Sequence, residues 1–463
     1  LARLPVAGRN VLLALAALPL VLPSFVAAYA WVILLGRAGI VTQALASIGL
    51  PSLSIYGMPG LTLVFALHSF PYVLLPTVAA FKAIDQSMEE ASLGLGATRI
   101  ATFWRVHLPI ALPAVFAGAL LVFVETIENF GVPFLLAEDR PILAVQAYKL
   151  FVGEVGANPA SAGVLSMLLV VCTVAALLVQ RRFLARRRFS TAARILPPEL
   201  VVGAAARIGA GLYCWGLVLL ALVPFVVVVV ISFMPFRGPV LHPGFTIDNF
   251  IVLIDRASRP LLNTLGLATV ATLAATLIGL PIGYVLVRYR SALAGILDSL
   301  AMTPFAVAGT VLGIGFVLAF NAGWLVLTGG GLVLVIVYAV RKLPFNVRAA
   351  SAILHQIDSS LEEASINLGV SPARTFVQLT LPLMIGGVVG GMVLTWVAIV
   401  SELSATIVLY SGPWATMTIV MFQALEGVSL GVASAAVAVL FAVTLVPLLM
   451  VYRLLRRYEL SLT

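Results

Sequence analysis

Carboxylates are scarce in this chain, and their placement bounds what chemistry it could do. Two adjacent pairs, Glu89-Glu90 and Glu362-Glu363, open polar segments that nearly copy each other: EEASLGLGATRIATFWRVHLP from residue 89 and EEASINLGVSPARTFVQLTLP from residue 362. Three further acids, Glu125, Glu128 and Glu402, lie inside apolar stretches. Neither arrangement is a catalytic constellation, because no nucleophile and base stand out as partners. The histidines, His68, His107, His242 and His355, are scattered, and Cys172 and Cys214 sit in apolar stretches without metal or disulfide spacing. No GxxxxGK[ST] loop is present, and Gly is never followed by Lys, so this chain has no phosphate cradle of its own. What remains is recognition by the copied segments and the handling of something polar within apolar surroundings.

Those surroundings are a membrane. The 463 residues are 62% hydrophobic and 10% charged, with a mean hydropathy of +1.14. A soluble domain carries about 25% charged residues, so the charge here could not cover a water-facing surface. The apolar runs reach the ~20 residues needed to span a bilayer core. Backbone groups in lipid must be paired internally, which leaves helices or closed barrels. Runs such as LVLLALVPFVVVVVI from residue 217 do not alternate, which excludes a barrel. The expected fold is an all-α polytopic membrane protein.

About ten spans are expected, near 11–35, 61–81, 113–136, 162–182, 212–233, 262–287, 299–321, 332–353, 383–410 and 430–452. The net charge of +9 could suggest nucleic acid, but the arginines gather in alternate loops, as the positive-inside rule expects. Those loops hold Lys82, Arg99, Arg105, Arg288, Arg341, Lys342, Arg348 and Arg374, together with both copied segments, which places the segments in the cytoplasm.

The copies are related by a fixed offset (363 − 90 = 273) that pairs Glu90 with Glu363, Asp85 with Asp358, Gly96 with Gly369, Pro109 with Pro382 and Pro71 with Pro344. The expected organisation is a first repeat over 1–183 with about four spans, a cytoplasmic linker over 184–210 broken by Pro197-Pro198, and a second repeat over 211–463 with about six. The Arg-rich linker also suits contact with anionic membrane lipids. The stretch from residue 2 resembles that from residue 287, so the first copy lacks two N-terminal helices and begins at Leu1 where a third span would start. A truncated sequence is expected rather than a true loss. Arg3 and Arg9 ahead of the apolar 11–22 would suit a signal peptide, but apolar sequence runs on to Leu35.

Each copied segment reads as a short helix. Asp85 and Asp358 are good N-caps, and the acids that follow suit the positive end of a helix dipole. Gly96 and Gly369 can end it. An apolar face follows from Leu93 and Leu95, or Ile366 and Leu368, and two such helices would make a two-fold docking surface.

Glu90-Ala91-Ser92, Gly96, Val106 and Leu108-Pro109, with Glu363-Ala364-Ser365, Gly369, Leu379 and Leu381-Pro382, resemble the signature of type I binding-protein-dependent ABC importer permeases. In that family the pattern runs Glu-Ala-Ala, three residues, Gly, nine residues, Ile, one residue, Leu-Pro. Ser replaces the second Ala twice here, and Val or Leu replaces Ile. The resemblance spans essentially the whole chain. It implies a coupling helix seated in a separate ATPase dimer, formed by Glu89, Glu90, Ala91, Ser92, Leu93 and Gly96, and by Glu362, Glu363, Ala364, Ser365, Ile366 and Gly369. It also implies alternating access, a periplasmic or lipid-anchored substrate-binding protein, and no cofactor or enzymatic activity in this chain, the ATP being used by the partner.

Fusion of two permease halves looks like the ferric iron and thiamine permeases. ETIENFGVP from residue 125 and ELSAT from residue 402 are similar to the iron(III) group, and phosphonate and polyamine permeases share parts of them. Glu125, Glu128 and Glu402 are candidates for the translocation pathway. An acid at mid-membrane costs roughly 2.5–3.5 kcal/mol and so faces a cavity or a partner. These acids either contact a hard cation or hydrogen-bond neighbouring helices. A proton-coupled secondary transporter is the competing class, and a membrane scaffold the third; neither gives a reason for two copied polar helices on one face.

Overall fold

The computed structural model describes residues 1–21, 23–37, 39–51, 53–138, 140–153, 158–185, 203–237, 240–289, 291–427 and 429–462. Arg186, Arg187, Arg188, Arg194, Pro197 and Pro198 of the expected linker lie outside the described residues. The chain divides into two units, one of residues 1–146 and 164–227, the other of 147–163 and 228–463. Both are helical. The described strands are Phe236–Arg237 and Val240–Leu241, an antiparallel pair with Phe236 opposite Leu241.

Eight helices among the described residues are long and apolar enough to cross a membrane, nine if one bent pair is a single span. Two kinds of departure separate these from the ten expected spans. The first, 11–35, is broken. Helix Arg9–Ala17 passes into a 3-10 turn at Leu18–Val21 before helix Ser24–Leu35. Its counterpart is built alike: helix Ala292–Met302, a 3-10 turn at Thr303–Ala306, then helix Gly309–Phe320, bent by 101°. These elements keep step at a second offset (309 − 24 = 285), which pairs Pro19 with Pro304 inside the turns. Proline lacks the N–H an α-helix needs, so it sets the break. The second exception is 332–353, which forms helix Gly331–Leu354 but carries Arg341, Lys342 and Arg348 along it.

Close packing uses small residues, as expected where apolar burial cannot drive helix association. In the first unit a Cβ at Gly118 would lie 2.5 Å from the Tyr72 carbonyl oxygen. At the equivalent Gly391 it would lie 2.5 Å from Ala349 Cβ. In the second unit Gly283 admits Ala350 between helices Asp248–Arg288 and Gly331–Leu354. Asn346 bridges the same region, accepting from Thr276 Oγ1 at 3.0 Å and donating to Thr395 Oγ1 at 2.9 Å. The second repeat's first helix begins at Ala204, ahead of the expected boundary at 211.

Candidate functional site

The copied segments fold into the same object twice. Helix Gln86–Gly94 and helix Ser359–Asn367 each run nine residues. Asp85 accepts the Ser87 N–H at 2.9 Å, and Asp358 accepts the Ser360 N–H at 2.9 Å. That hydrogen bond holds the Asp358 carboxyl below its ordinary pKa.

At the other end Gly96 has φ +85° and Gly369 φ +88°, the left-handed region. The bonds around them form a Schellman pair in each copy. Gly96 N–H donates to Leu93 O and Ala97 N–H to Ser92 O; Gly369 N–H donates to Ile366 O and Val370 N–H to Ser365 O. A Cβ at either glycine would meet nothing within 4 Å, so glycine is needed for backbone conformation rather than for space.

The two serines that depart from the family's Ala share one explanation. Ser92 Oγ lies 2.9 Å from Thr102 Oγ1, and Ser365 Oγ lies 2.9 Å from Thr375 Oγ1. Each pins the capped helix to the short helix after it, Arg99–Thr102 or Pro372–Thr375. A π-turn then joins each segment to its span, at Phe103–His107 and at Phe376–Thr380.

Apolar side chains stand out from both segments in matching order. Leu95 is 89% exposed and Leu368 85%; Leu93 is 37% exposed and Ile366 43%. Glu90, Ala91, Glu363 and Ala364 are exposed beside them. Glu89 and Glu362 turn the other way. Glu89 pairs with the Arg3 guanidinium and lies 3.6 Å from His107 Nε2. Glu362 takes hydrogen bonds from Arg288, Tyr284 and Thr380. The adjacent glutamates read as one acidic pair in the sequence, but they serve opposite faces. Arg3 and Arg288 are site residues that sequence reasoning missed; each leads into a broken span, and the 285 offset relates them.

Among the described residues no group of three or more His, Cys, Asp or Glu could hold a metal ion. Glu125, half-buried, accepts from Tyr72 OH at 3.4 Å, and Glu128 ends helix Leu108–Glu128. Glu402 is 5% exposed and follows helix Leu381–Val400, where the expected span 383–410 stops. It pairs with the equally buried Arg341, lies 3.4 Å from Lys342 Nζ, and accepts the Ala405 N–H at 3.1 Å. Its backbone carbonyl takes hydroxyl bonds from Thr406 and Thr418, as a helix break inside a membrane requires. Of the two roles left open for Glu402, hydrogen bonding to its own helices fits this geometry.

The family of binding-protein-dependent transport system inner membrane components matches residues 1–189 and 275–460, one match for each repeat. Among curated relatives, permease protein FbpB 1 of Haemophilus influenzae is 32% identical over 413 residues, covering 85% of this chain and 63% of its own length. The ferric transport system permease protein FbpB of Actinobacillus pleuropneumoniae is 30% identical, covering 92% of this chain and 63% of its own. An Fe(3+)-transport system permease protein, FbpB 2 of Haemophilus influenzae, is 26% identical, with 88% and 75% covered. The chain thus spans 63% of the length of the first two relatives. Two family matches laid over two copied segments leave one assignment: the chain belongs to the binding-protein-dependent transport system inner membrane components.

Proposed function

We propose that this chain is the membrane permease of an ATP-binding-cassette importer, with ferric iron as cargo. The observation that carries the reading is the repeated docking helix. Two short capped helices, outside the apolar spans, present the same apolar knob at Leu95 and Leu368 with an acid beside it at Glu90 and Glu363. An apolar knob exposed at the same place in both copies, continued by Leu93 and Ile366, suits the groove of a partner. Glu89, Ser92, Glu362 and Ser365 hold the knob in place, while Ala91, Leu93, Ala364 and Ile366 extend its surface.

In this reading the partner is a dimer of ATPase subunits at the cytoplasmic face. Its closure on ATP moves both docking helices and turns the permease from inward- to outward-facing. Cargo arrives from a separate binding protein on the opposite side. Glu125 and Glu128 are this reading's candidate acids for the pathway, and Glu402 is a cap with its own counter-ions. Relatives named for ferric and Fe(3+) transport favour iron over thiamine, phosphonate or polyamine cargo.

The test is Gly96→Val together with Gly369→Val, against Gly96→Asn with Gly369→Asn. Valine tolerates positive φ poorly, whereas asparagine visits it. The valine pair should reach the membrane yet lose import driven by ATP, and the asparagine pair should keep most of it. Uptake that survives the valine pair would defeat the docking reading. Import of thiamine, phosphonate or polyamine but not ferric iron would defeat the cargo assignment alone.

A further inference from the structure

The first glutamate of each acidic pair is tied to the chain that leads into the broken span. In the second unit Glu362, 7% exposed, receives Arg288 Nε at 3.2 Å on both oxygens and Arg288 Nη2 at 3.1 Å. Tyr284 OH donates at 3.1 Å and Thr380 Oγ1 at 3.0 Å. Arg288 also donates from Nη2 to the Ile357 carbonyl at 3.1 Å, in the turn just ahead of the Asp358 cap. One guanidinium therefore clasps both the entry turn and the first turn of the docking helix. It is the last residue of helix Asp248–Arg288, and helix Ala292–Met302 of the broken span follows at once.

The first unit repeats the plan with different neighbours. Arg3 stands at the position of Arg288, ahead of the broken span that begins with helix Arg9–Ala17, and pairs with Glu89. His107 stands at the position of Thr380 and approaches the same carboxylate. Arg–Glu is kept in both copies, while His and Thr exchange beside it.

We infer that Arg3–Glu89 and Arg288–Glu362 are straps that carry the docking helix's movement into the broken span. The inference rests on the docking reading above. Without a strap, a nine-residue helix would be held by its end turns and one Ser–Thr hydrogen bond to the short helix after it, and a push would bend these joints. A guanidinium that meets a carboxylate with two nitrogens fixes angle as well as distance. Side-chain exposures of 15% for Arg288 and 9% for Glu362 keep solvent from loosening the pair. The four are positioning residues: they act through the helix they hold.

The experiment uses the full-length permease with its ATPase partner in lipid nanodiscs, with Cys172→Ser and Cys214→Ser. Spin labels at Ser360→Cys and Ile296→Cys report the distance from docking helix to broken span, with and without trapped ATP. In the unaltered permease the distance should stay narrow and unchanged on ATP binding, because the two move as one body. Glu362→Gln and Arg288→Ala should each broaden it and make it shift with ATP. Arg288→Lys, which keeps the charge, should shift less. Retained ATPase with an unchanged narrow distance in Glu362→Gln overturns the strap while leaving docking intact. Failure of the unaltered permease to hold the ATPase overturns docking and the strap together. If the first two variants do not fold, Arg288→Lys decides: an ATP-dependent shift absent from the unaltered permease supports the strap, and none overturns it.

Discussion

Each repeat stops a membrane helix at the same place and does so with different chemistry. In the first, helix Leu108–Glu128 ends and Asn129 Oδ1 accepts the Val132 N–H at 3.0 Å. In the second, Glu402 Oε1 accepts the Ala405 N–H, and the 273 offset makes the two caps equivalent. Asn129 is neutral and donates to Ser24 Oγ at 2.7 Å. Glu402 is held by Arg341 and Lys342, where the first copy has His68 and Ser69. At the position of Ser24 stands Gly309, where a Cβ would fall 2.8 Å from Arg341 Nη1 and 2.8 Å from Ser404 Cβ. The backbone break is common property of the repeats. The charge belongs to one of them only, together with its counter-ions and a glycine that makes room for the guanidinium.

The comparison breaks most readily at the charge. Removing one partner of a buried ion pair costs about 3–5 kcal/mol, whereas losing a neutral buried hydrogen bond costs about 1–3 kcal/mol. Arg341→Met or Glu402→Ala should therefore destabilise the purified permease more than Asn129→Ala, as thermal unfolding in detergent would record. Equal losses would mean that the charge is incidental to the cap. Glu402→Gln should lower membrane abundance as far as it lowers transport; loss of transport alone would return Glu402 to the pathway.

Next in size is Gly309→Ser, which overpacks against Arg341 at about 1–3 kcal/mol. The same change should cost less when Arg341→His, Lys342→Ser, Glu402→Asn and Ser404→Gly accompany it, because these positions then match the first copy's His68, Ser69, Asn129 and Gly131. A thermal-shift cycle that finds simple additivity would show that glycine and guanidinium are not coupled.

The smallest effect concerns the docking helices. Asp358 is depressed by the Ser360 N–H, so its contribution is present above the unfolded aspartate pKa and is lost as pH falls through the folded value. Amide protection factors over 359–367, corrected for the slower intrinsic exchange at low pH, should fall on acidification, and Asp358→Ala should remove that dependence. A pH response that persists in Asp358→Ala would place the titrating group elsewhere.

Much of the docking segment was legible because its signals are local. An Asx cap, acids in the first turn and a glycine at the end depend on neighbours a few residues away, and both copies carry them. The duplication was legible because a fixed offset needs no folding. The broken spans were legible only in part: mid-span proline marks the breaks at Pro19 and Pro304, but Pro224 and Pro281, which carry the same signal, lie within helices that run on. The ten-span reading also passed over the cost of Arg341, Lys342 and Arg348 on one helix. Glu128 drew attention as an intramembrane acid, yet the residue that answers Glu402 is its neutral neighbour Asn129; the fixed offset carried that signal, but acidity outweighed it.

What the sequence by itself determined is the class: apolar runs, a repeat, and paired helices whose capping is written within ten residues of each. What tertiary structure decided is the direction of each charge. Glu89 and Glu90 are adjacent and chemically identical, but successive positions on a helix point about 100° apart. Only the presence of Arg3, brought from 86 positions away, makes one of them inward and leaves the other exposed.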